Sequence, residues 1–267
     1  MTQAEYNNVM FRNGFEIGRV FGVPIRLDAS LIILPLVYGI AMQSLRVGLV
    51  FTVILMGSVA LHELGHTYTA LKFGCRVRDI TLMLLGGRAT LLDMPREPWK
   101  EFVLAASGPL VSAVLWLGGR LLILVTGAQG LTGLFLFYLA LVNKCLLFFN
   151  LIPAFPMDGG RMLRALLARR VGRLLGTFIA SRIGRFVAVM MGIWGIFHFN
   201  FILVLIAIYI YQAAGFEYLM AQAEAARGND FFFFGGPKPP PSPDDQVIIS
   251  PPPYRSDHDV ADVYKER

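Results

Sequence analysis

Long apolar stretches recur along the chain, and shorter segments that carry most of the charged residues separate them. A helix needs about 20 mostly apolar residues to cross the hydrocarbon core of a bilayer. The pattern therefore predicts an all-α polytopic membrane protein with about six transmembrane helices. The six candidate spans are 30–43, 48–73, 103–125, 131–152, 183–197 and 201–216.

Two segments lack the pattern of a transmembrane helix. Residues 15–28 alternate apolar and polar side chains around Gly and Pro, which predicts a small β-hairpin at the membrane surface. Residues 80–92 are apolar but too short to span, and Gly86 and Gly87 interrupt them. Such a segment forms either a two-stranded re-entrant element or an interfacial loop. Backbone of this kind is tolerated at depth only against protein or a water-filled cavity.

The composition of the chain changes near residue 227. Runs of proline and scattered charges follow, with few apolar residues beyond Phe234. A segment of this composition cannot build a packed core and is typical of disorder. We therefore expect three parts, namely an N-terminal segment with the surface hairpin at 1–29, a six-helix transmembrane domain at 30–226, and a disordered Pro-rich cytoplasmic tail at 227–267.

The charged residues also indicate a membrane protein. They make up 16% of the chain, whereas a soluble domain carries about 25%, so the lipid bilayer is the expected partner. The net charge of +6 does not indicate nucleic acid, because basic residues of membrane proteins collect in cytoplasmic loops. Of the basic residues in the predicted loops up to residue 185, only Arg46 and Arg120 fall on the outer side. This asymmetry predicts that both termini are cytoplasmic.

The second candidate span contains the sequence HELGH at 62–66. Residues four apart lie about 40° from each other around a helix, so His62 and His66 can present imidazoles to one metal ion. Glu63 follows His62 and can reach a water molecule on that metal. Two histidines that bind zinc and a glutamate that acts as general base make up the HExxH arrangement. Three ionisable groups within one span are costly, which favours a functional site over a chance match.

A catalytic zinc ion needs a third protein ligand and one open position. His198 lies in the predicted outer hairpin and His258 in the predicted tail, which makes both poor candidates. Asp158 is the better candidate, because Pro153 and Pro156 prevent a regular helix before it and the glycines after it let the chain turn. An ordinary Asp-Gly turn at a helix end is the competing interpretation.

Together these motifs resemble the site-2 protease family of intramembrane metalloproteases, peptidase family M50. The resemblance is carried by HELGH at 62–66, LMLLGGRATL at 82–91, AASGPLVSA at 105–113 and NLIPAFPMDGGRML at 150–163, and it covers roughly residues 15–167. It implies that His62, His66 and Asp158 bind one Zn²⁺ ion per chain and that Glu63 is the catalytic base.

The resemblance also assigns a role to Asn150, which matches the family asparagine before the proline-containing metal segment. Its amide would donate to the oxyanion or position the substrate backbone, or it would satisfy carbonyl groups where the helix ends. The implied enzyme is a zinc metalloendopeptidase that hydrolyses peptide bonds in or near transmembrane segments of protein substrates. No PDZ domain or CBS pair is recognised, so we expect control by a regulatory membrane partner, by the tail or by prior cleavage of the substrate.

Two other functions compete with proteolysis. One is a catalytically inactive zinc-binding membrane scaffold or chaperone of the same fold, against which the retention of Glu63 argues. The other is a transporter, in which paired broken helices and inverted repeats are common, but the sequence has only one clearly broken segment. The modest length of the chain favours a prokaryotic protein, for which the plasma membrane is the expected location. The basic cluster at 164–173 is expected to hold the inner loop against anionic lipid headgroups. The roles of Asn143 and Lys144 stay open.

Overall fold

The computed structural model describes residues 14–227 with the exception of 84, 85, 94 and 96. The chain divides into two compact units, 1–224 and 225–267, and of the second unit only residues 225–227 are described. The predicted tail therefore lies outside the described residues apart from its first residue, which ends the last helix. The predicted N-terminal segment is described only from residue 14.

The described residues form four strands and seven α-helices. The strands are β1 (Gly14–Val20), β2 (Val23–Asp28), β3 (Val77–Met83) and β4 (Gly86–Leu91). A 3₁₀ turn (Ala29–Ile32) follows β2. The helices are α1 (Ile33–Ala41), α2 (Leu45–Lys72), α3 (Pro98–Thr126), α4 (Gly130–Asn150), α5 (Asp158–Val171), α6 (Arg173–Phe197) and α7 (Phe201–Arg227).

Five of these helices are long and apolar enough to cross a membrane, namely α2, α3, α4, α6 and α7. The predicted mostly helical, multi-pass architecture is confirmed, but the predicted count of six spans is one too many. The first candidate is the 3₁₀ turn plus the nine residues of α1, which together reach only about 20 Å of the roughly 30 Å core. The predicted fifth span, 183–197, starts too late, because the corresponding helix α6 begins at Arg173.

The chain reverses direction after α1 because a new helix starts immediately. The Ser44 hydroxyl accepts a hydrogen bond from the backbone N–H of Val47 and caps α2. Gly48 then lies against the backbone of Tyr38 and Gly39, where a Cβ atom would collide with Gly39. The missing side chain lets α1 pack closely on the first turn of α2, so the apolar stretch at 30–43 folds back instead of continuing as a span.

Both predicted non-helical segments belong to one four-stranded sheet in the order β1-β2-β3-β4. β1 and β2 form the predicted hairpin, and β3 and β4 form a second hairpin, so the segment at 80–92 contributes to two strands and is not a loop. The hairpins join through parallel pairing of β2 with β3, in which Ile25 faces Ile80 and Leu27 faces Leu82. β4 is consequently an edge strand of the described sheet.

An apolar cluster fixes this sheet against α2. It consists of Val23, Ile25, Ile80 and Leu82 from the strands with Val59 from the helix. Val59 lies one turn before His62, so burial of the cluster places the sheet beside the HELGH turn. Burial of branched aliphatic side chains supplies about 1.5–3 kcal/mol each, which makes this contact a strong anchor.

The segment between α4 and α5 is irregular because Pro153 and Pro156 cannot donate backbone hydrogen bonds. Ala154 and Phe155 within it are fully buried, and Ala154 packs with Met157, Ala188 and Ile210. The segment is therefore held between α6 and α7 at its centre and leads directly into α5. The sequence predicted a loop at 158–171, whereas the structure has the helix α5 there.

Candidate metal centre

Helix α2 places two imidazoles one turn apart on a single buried face. The Nε2 atoms of His62 and His66 lie 3.3 Å from each other, as expected for residues four apart on one helix. Both side chains are buried. The pair therefore presents two ring nitrogens to one point in the protein interior.

The first residue of α5 brings a carboxylate to the same point. Oδ2 of Asp158 lies 3.2 Å from Nε2 of His62 and 3.2 Å from Nε2 of His66. One ligand atom from each of the three residues lies within 4.8 Å of the other two.

The other ring nitrogens show which hydrogen each imidazole carries. Nδ1 of His66 lies 2.8 Å from the carbonyl oxygen of Leu104, which can only accept. Nδ1 must therefore carry the hydrogen, and the lone pair of Nε2 points at Asp158. Nδ1 of His62 lies 2.9 Å from the Ser112 hydroxyl, which can also accept. Metal-binding histidines are commonly oriented in this way.

The space around these nitrogens also fits an ion. A Cβ atom at Gly108 would lie 2.6 Å from Nε2 of His62 and would collide with Nε2 of His66. Only glycine therefore keeps this side of the imidazoles open. Two nitrogen donors, one carboxylate and an open side match the donor set of a catalytic zinc site.

Glu63 lies beside this centre, half-buried in the wall of a cavity of about 400 Å³. Its Oε2 accepts a hydrogen bond of 3.0 Å from the backbone N–H of Ala89 in β4. Gly87 of the same strand approaches so closely that a Cβ atom there would lie 2.7 Å from Cγ of Glu63. The edge strand thus holds the carboxylate in the cavity.

Asn150 ends α4 and lines the same cavity. Its Nδ2 donates to the carbonyl oxygen of Leu146 at 3.0 Å, which uses one of the two amide hydrogens. The structure thus brings together all five residues singled out in the sequence, His62, Glu63, His66, Asn150 and Asp158. His198 is exposed on the hairpin between α6 and α7, and His258 lies outside the described residues.

Several residues of the site were missed in the sequence. Ser112 and Leu104 orient the imidazoles, and Arg161 and Tyr209 line the cavity. Ser112 lies within AASGPLVSA, a segment that carried the family resemblance without indicating a role for this serine. A polar residue on the helix that contacts HELGH is the signal that could have identified it.

The assignment of Arg164 to lipid headgroups is wrong. Its guanidinium is buried and pairs with Glu101 of α3 at 2.6 Å and with Glu217 of α7 at 2.5 Å. Burial acts to lower the pKa of Arg164, but the two carboxylates outweigh it and raise that pKa. The ion pairs connect α5, which carries Asp158, to two membrane helices.

Comparison with known proteins gives the family. The profile described as "Peptidase family M50" matches residues 50–132 and 126–193, which are more than half of the chain and include HELGH and Asp158. The chain belongs to peptidase family M50. The resemblance to the site-2 protease family stated from the motifs is thereby confirmed, and zinc is the metal that fits its three convergent ligand atoms.

Named relatives of this M50 chain are similar over its membrane region. It is 37% identical to the zinc metalloprotease MJ0392 of Methanocaldococcus jannaschii over 211 residues, 77% of this chain and 61% of the relative. It is 30% identical to stage IV sporulation protein FB of Bacillus subtilis over 141 residues, 52% of this chain and 48% of the relative. The matches thus span less than two thirds of either relative.

A solved structure shares the fold of this M50 chain. The site-2 protease from Methanocaldococcus jannaschii superposes with a TM-score of 0.56 at 36% sequence identity, over 77% of this chain and 95% of that chain. Because sequence identity and fold agree over most of the described residues, the chain has the fold of a site-2 protease.

Proposed function

We propose that this protein is an intramembrane zinc metalloprotease that hydrolyses peptide bonds in or near transmembrane segments of membrane-protein substrates. The observation that carries the proposal is the position of Glu63 in the same cavity as the His62, His66 and Asp158 ligand atoms. Binding a metal needs only the three ligands. A carboxylate held beside them is the group that hydrolysis needs in addition.

We assign His62, His66 and Asp158 as the zinc ligands. A zinc ion held there supplies a Lewis acid that lowers the pKa of a water molecule and polarises a peptide carbonyl. Ser112 and the Leu104 carbonyl keep both imidazoles oriented so that their Nε2 lone pairs face the centre. The ligand set is therefore preorganised before any substrate arrives.

Glu63 is the general base in this proposal. Its Oε2 is held by the N–H of Ala89, which leaves Oε1 to receive a proton from the attacking water. The same oxygen then delivers that proton to the amine of the departing peptide. Water adds to the carbonyl carbon, the C–N bond breaks, and a carboxylate and an amine result.

Asn150 is the proposed helper at the developing oxyanion. One hydrogen of its amide is donated to Leu146, and the second is available to the cavity. A donor placed where negative charge develops lowers the barrier because it needs no reorganisation during the reaction. Its hydrogen bond to Leu146 agrees equally with the alternative in which it only satisfies the end of α4.

β4 is the proposed docking edge for the substrate backbone. It lines the cavity at Gly86–Leu91 and pairs with β3 on one side only. The N–H of Ala89 faces away from β3 toward Glu63, so that of Gly87, two residues earlier, faces the same way. A substrate helix that unwinds locally can add as a strand to such an edge, which would align its scissile carbonyl beside the metal centre.

The predicted topology completes the proposal. Both termini face the cytoplasm, and the cavity is reached from that side of a prokaryotic plasma membrane. The partners are a transmembrane protein substrate, the lipid bilayer and a regulatory membrane partner. The predicted domain division, with the metalloprotease at 30–226 and the tail from 227, is retained in this proposal.

The decisive experiment compares the wild type with Glu63→Gln in detergent. Zinc content is measured together with cleavage of single-span helices that carry a reporter tag. We expect about one zinc ion per chain in both proteins and cleavage by the wild type alone. Glu97→Gln, on an exposed glutamate that is paired with Lys100 outside the cavity, is the matched control and should retain both properties.

The rival functions give different results. An inactive scaffold would retain its partner binding in Glu63→Gln and would show no cleavage that depends on Glu63. Undiminished cleavage by Glu63→Gln would remove the general base from the mechanism. A wild type without bound zinc would overturn the proposal and favour the transporter.

A further inference from the structure

A buried hydrogen bond joins two membrane helices just outside the metal centre. Nδ2 of Asn143 on α4 lies 2.8 Å from Oγ of Ser58 on α2, and both side chains are buried. Among the residues that the structure describes, this is the only hydrogen bond between α2 and α4. Neither residue lines the cavity of the metal centre, so the proposed proteolysis leaves this pair without a role.

The orientation of the Asn143 amide follows from its neighbours. Nδ2 also lies 2.9 Å from the carbonyl oxygen of Leu139, which can only accept a hydrogen bond. The amide nitrogen therefore donates one hydrogen to Leu139 and the other to the hydroxyl of Ser58. Oδ1 is buried and has no hydrogen-bond partner among the described residues. Both amide hydrogens are thus used, whereas the amide oxygen stays unpaired.

An apolar side chain at position 143 would avoid the cost of that unpaired oxygen. Its neighbours Val142 and Leu147 on α4 are apolar and buried in the same way. What the amide adds is direction, because its bond to Ser58 forms at one register of the two helices only. Buried polar residues between helices fix register in this way, with some loss of stability. The pair of Asn143 and Ser58 therefore specifies a position more than it stabilises the fold.

The contacts between α2 and α4 show that the two helices run in the same direction. The Phe51 ring contacts the Tyr138 ring at a centroid distance of 5.3 Å. The bond between Ser58 and Asn143 follows further along both helices. A displacement of α4 along α2 would therefore carry the end of α4 toward or away from the HELGH turn.

The bond is placed to set the position of Asn150 relative to the metal ligands. Ser58 lies one turn before His62 on the same face of α2. Asn150 follows Asn143 by about 10 Å along α4 and about 20° around it, so the two amides share a face. A slip of α4 by one turn would move Asn150 by about 5.4 Å, which is too far for a hydrogen bond to a carbonyl at the metal centre.

We propose that Asn143 is a positioning residue for the protease. Bound to Ser58, it fixes the register of α4 on α2 and so holds the amide of Asn150 at the metal centre. The inference rests on the proposed function, in which Asn150 acts on the substrate carbonyl. Asn143 does not line the cavity, and it acts through Asn150 alone.

The native Cys145 allows the register to be measured without any cleavage. It is exposed on α4, whereas Cys75 is buried, so a thiol-specific nitroxide labels α4. Cu²⁺ bound in place of zinc is the second spin, and electron paramagnetic resonance gives the distance between the two. We expect a narrow distribution of distances in the wild type and a shifted or broadened one in N143L and in S58A. The exchange S58N/N143S restores an amide–hydroxyl pair and should recover the wild-type distribution.

N143L should also lower kcat, with zinc content and KM unchanged. Displacement of a catalytic group by about 1 Å costs up to about 100-fold, so we expect a loss of about 10–100-fold. In an N150A background N143L should cause no further loss, because residues that act through one another are not additive. T52V removes a buried hydroxyl on α2 that bonds within its own helix. As the matched control, it should change neither the distance nor kcat.

Three results separate this inference from the proposed function. An unchanged distance distribution in N143L would overturn the role of Asn143 in setting the register. Losses in kcat that multiply in N143L/N150A would overturn its action through Asn150. A wild type that binds Cu²⁺ but shows no cleavage that depends on Glu63 would refute the proposed function, and the distance measurement would still decide whether Asn143 sets the register.

Discussion

Nδ1 of His62 on α2 lies 2.9 Å from the hydroxyl of Ser112 on α3, although fifty positions separate the two residues in the chain. Ser112 is fully buried, so no water competes for this hydrogen bond. The contact fixes the ring so that Nε2 faces Asp158. Ser112, which is outside the proposed ligand set, thus controls the direction of the proposed ligand His62.

Replacement of Ser112 by Ala should weaken zinc binding without abolishing it. Loss of the group that orients a ligand imidazole typically lowers metal affinity by about 10–100-fold. We expect the dissociation constant, measured by competition with a chromophoric chelator, to rise by at least about tenfold. Ser181→Ala, another buried serine that bonds to a carbonyl away from the centre, is the control. Equal affinities in the two variants would refute a role of Ser112 in orienting His62.

Gly108→Ala should remove zinc almost completely. Its new methyl group would occupy the space beside Nε2 of His62 and His66, and neither helix backbone can retreat without disrupting its packing. Gly118→Ala on the same helix is the control, because a Cβ atom there has no atom within 4 Å. Zinc content of the two purified proteins, by elemental analysis, is the measurement. Full zinc content in Gly108→Ala would mean that the imidazoles approach the metal from another side.

Gly87→Ala should reduce cleavage while zinc remains bound. The added methyl would lie 2.7 Å from both Cγ of Glu63 and Cγ1 of Val59, so the strand or the carboxylate must move. Because catalytic geometry is sensitive to displacements of about 1 Å, we expect a loss of about 100-fold in turnover. Zinc content and turnover are measured together, with Gly57→Ala, where the new methyl has no neighbour within 4 Å, as control. Loss of zinc along with activity would contradict a role confined to Glu63 and β4.

Arg164→Met should destabilise the protein by about 3–5 kcal/mol, because it leaves the buried Glu101 carboxylate without its partner. The double variant Arg164→Met with Glu101→Gln should recover part of this loss, since the uncompensated charge is then absent. Denaturant unfolding in detergent, followed by circular dichroism, measures both. Arg76→Met, in an exposed pair with Asp93, should show no measurable loss. A similarly small effect of Arg164→Met would show that water reaches Glu101.

Much of the architecture was predictable because it depends on local sequence. The lengths of the apolar stretches predicted α2, α3, α4 and α7, and the alternation at 15–28 predicted the first hairpin. The prediction of a sixth span was wrong because Ser44 and Gly48 start and accommodate a new helix immediately after α1. Hydropathy measures how apolar a stretch is, and it contains no information on whether the chain folds back on itself.

By itself, the sequence determined the chemistry of the centre. The spacing of His62 and His66 follows from the period of a helix, and the prolines before Asp158 require an irregular segment there, so the ligand types and their local placement depend on nearby residues alone. Only the tertiary structure decided the convergence of Asp158 on the two imidazoles, the bond from Ser112, the approach of β4 to Glu63 and the burial of Arg164. These contacts join residues far apart in the chain, and their formation depends on how whole helices and strands pack.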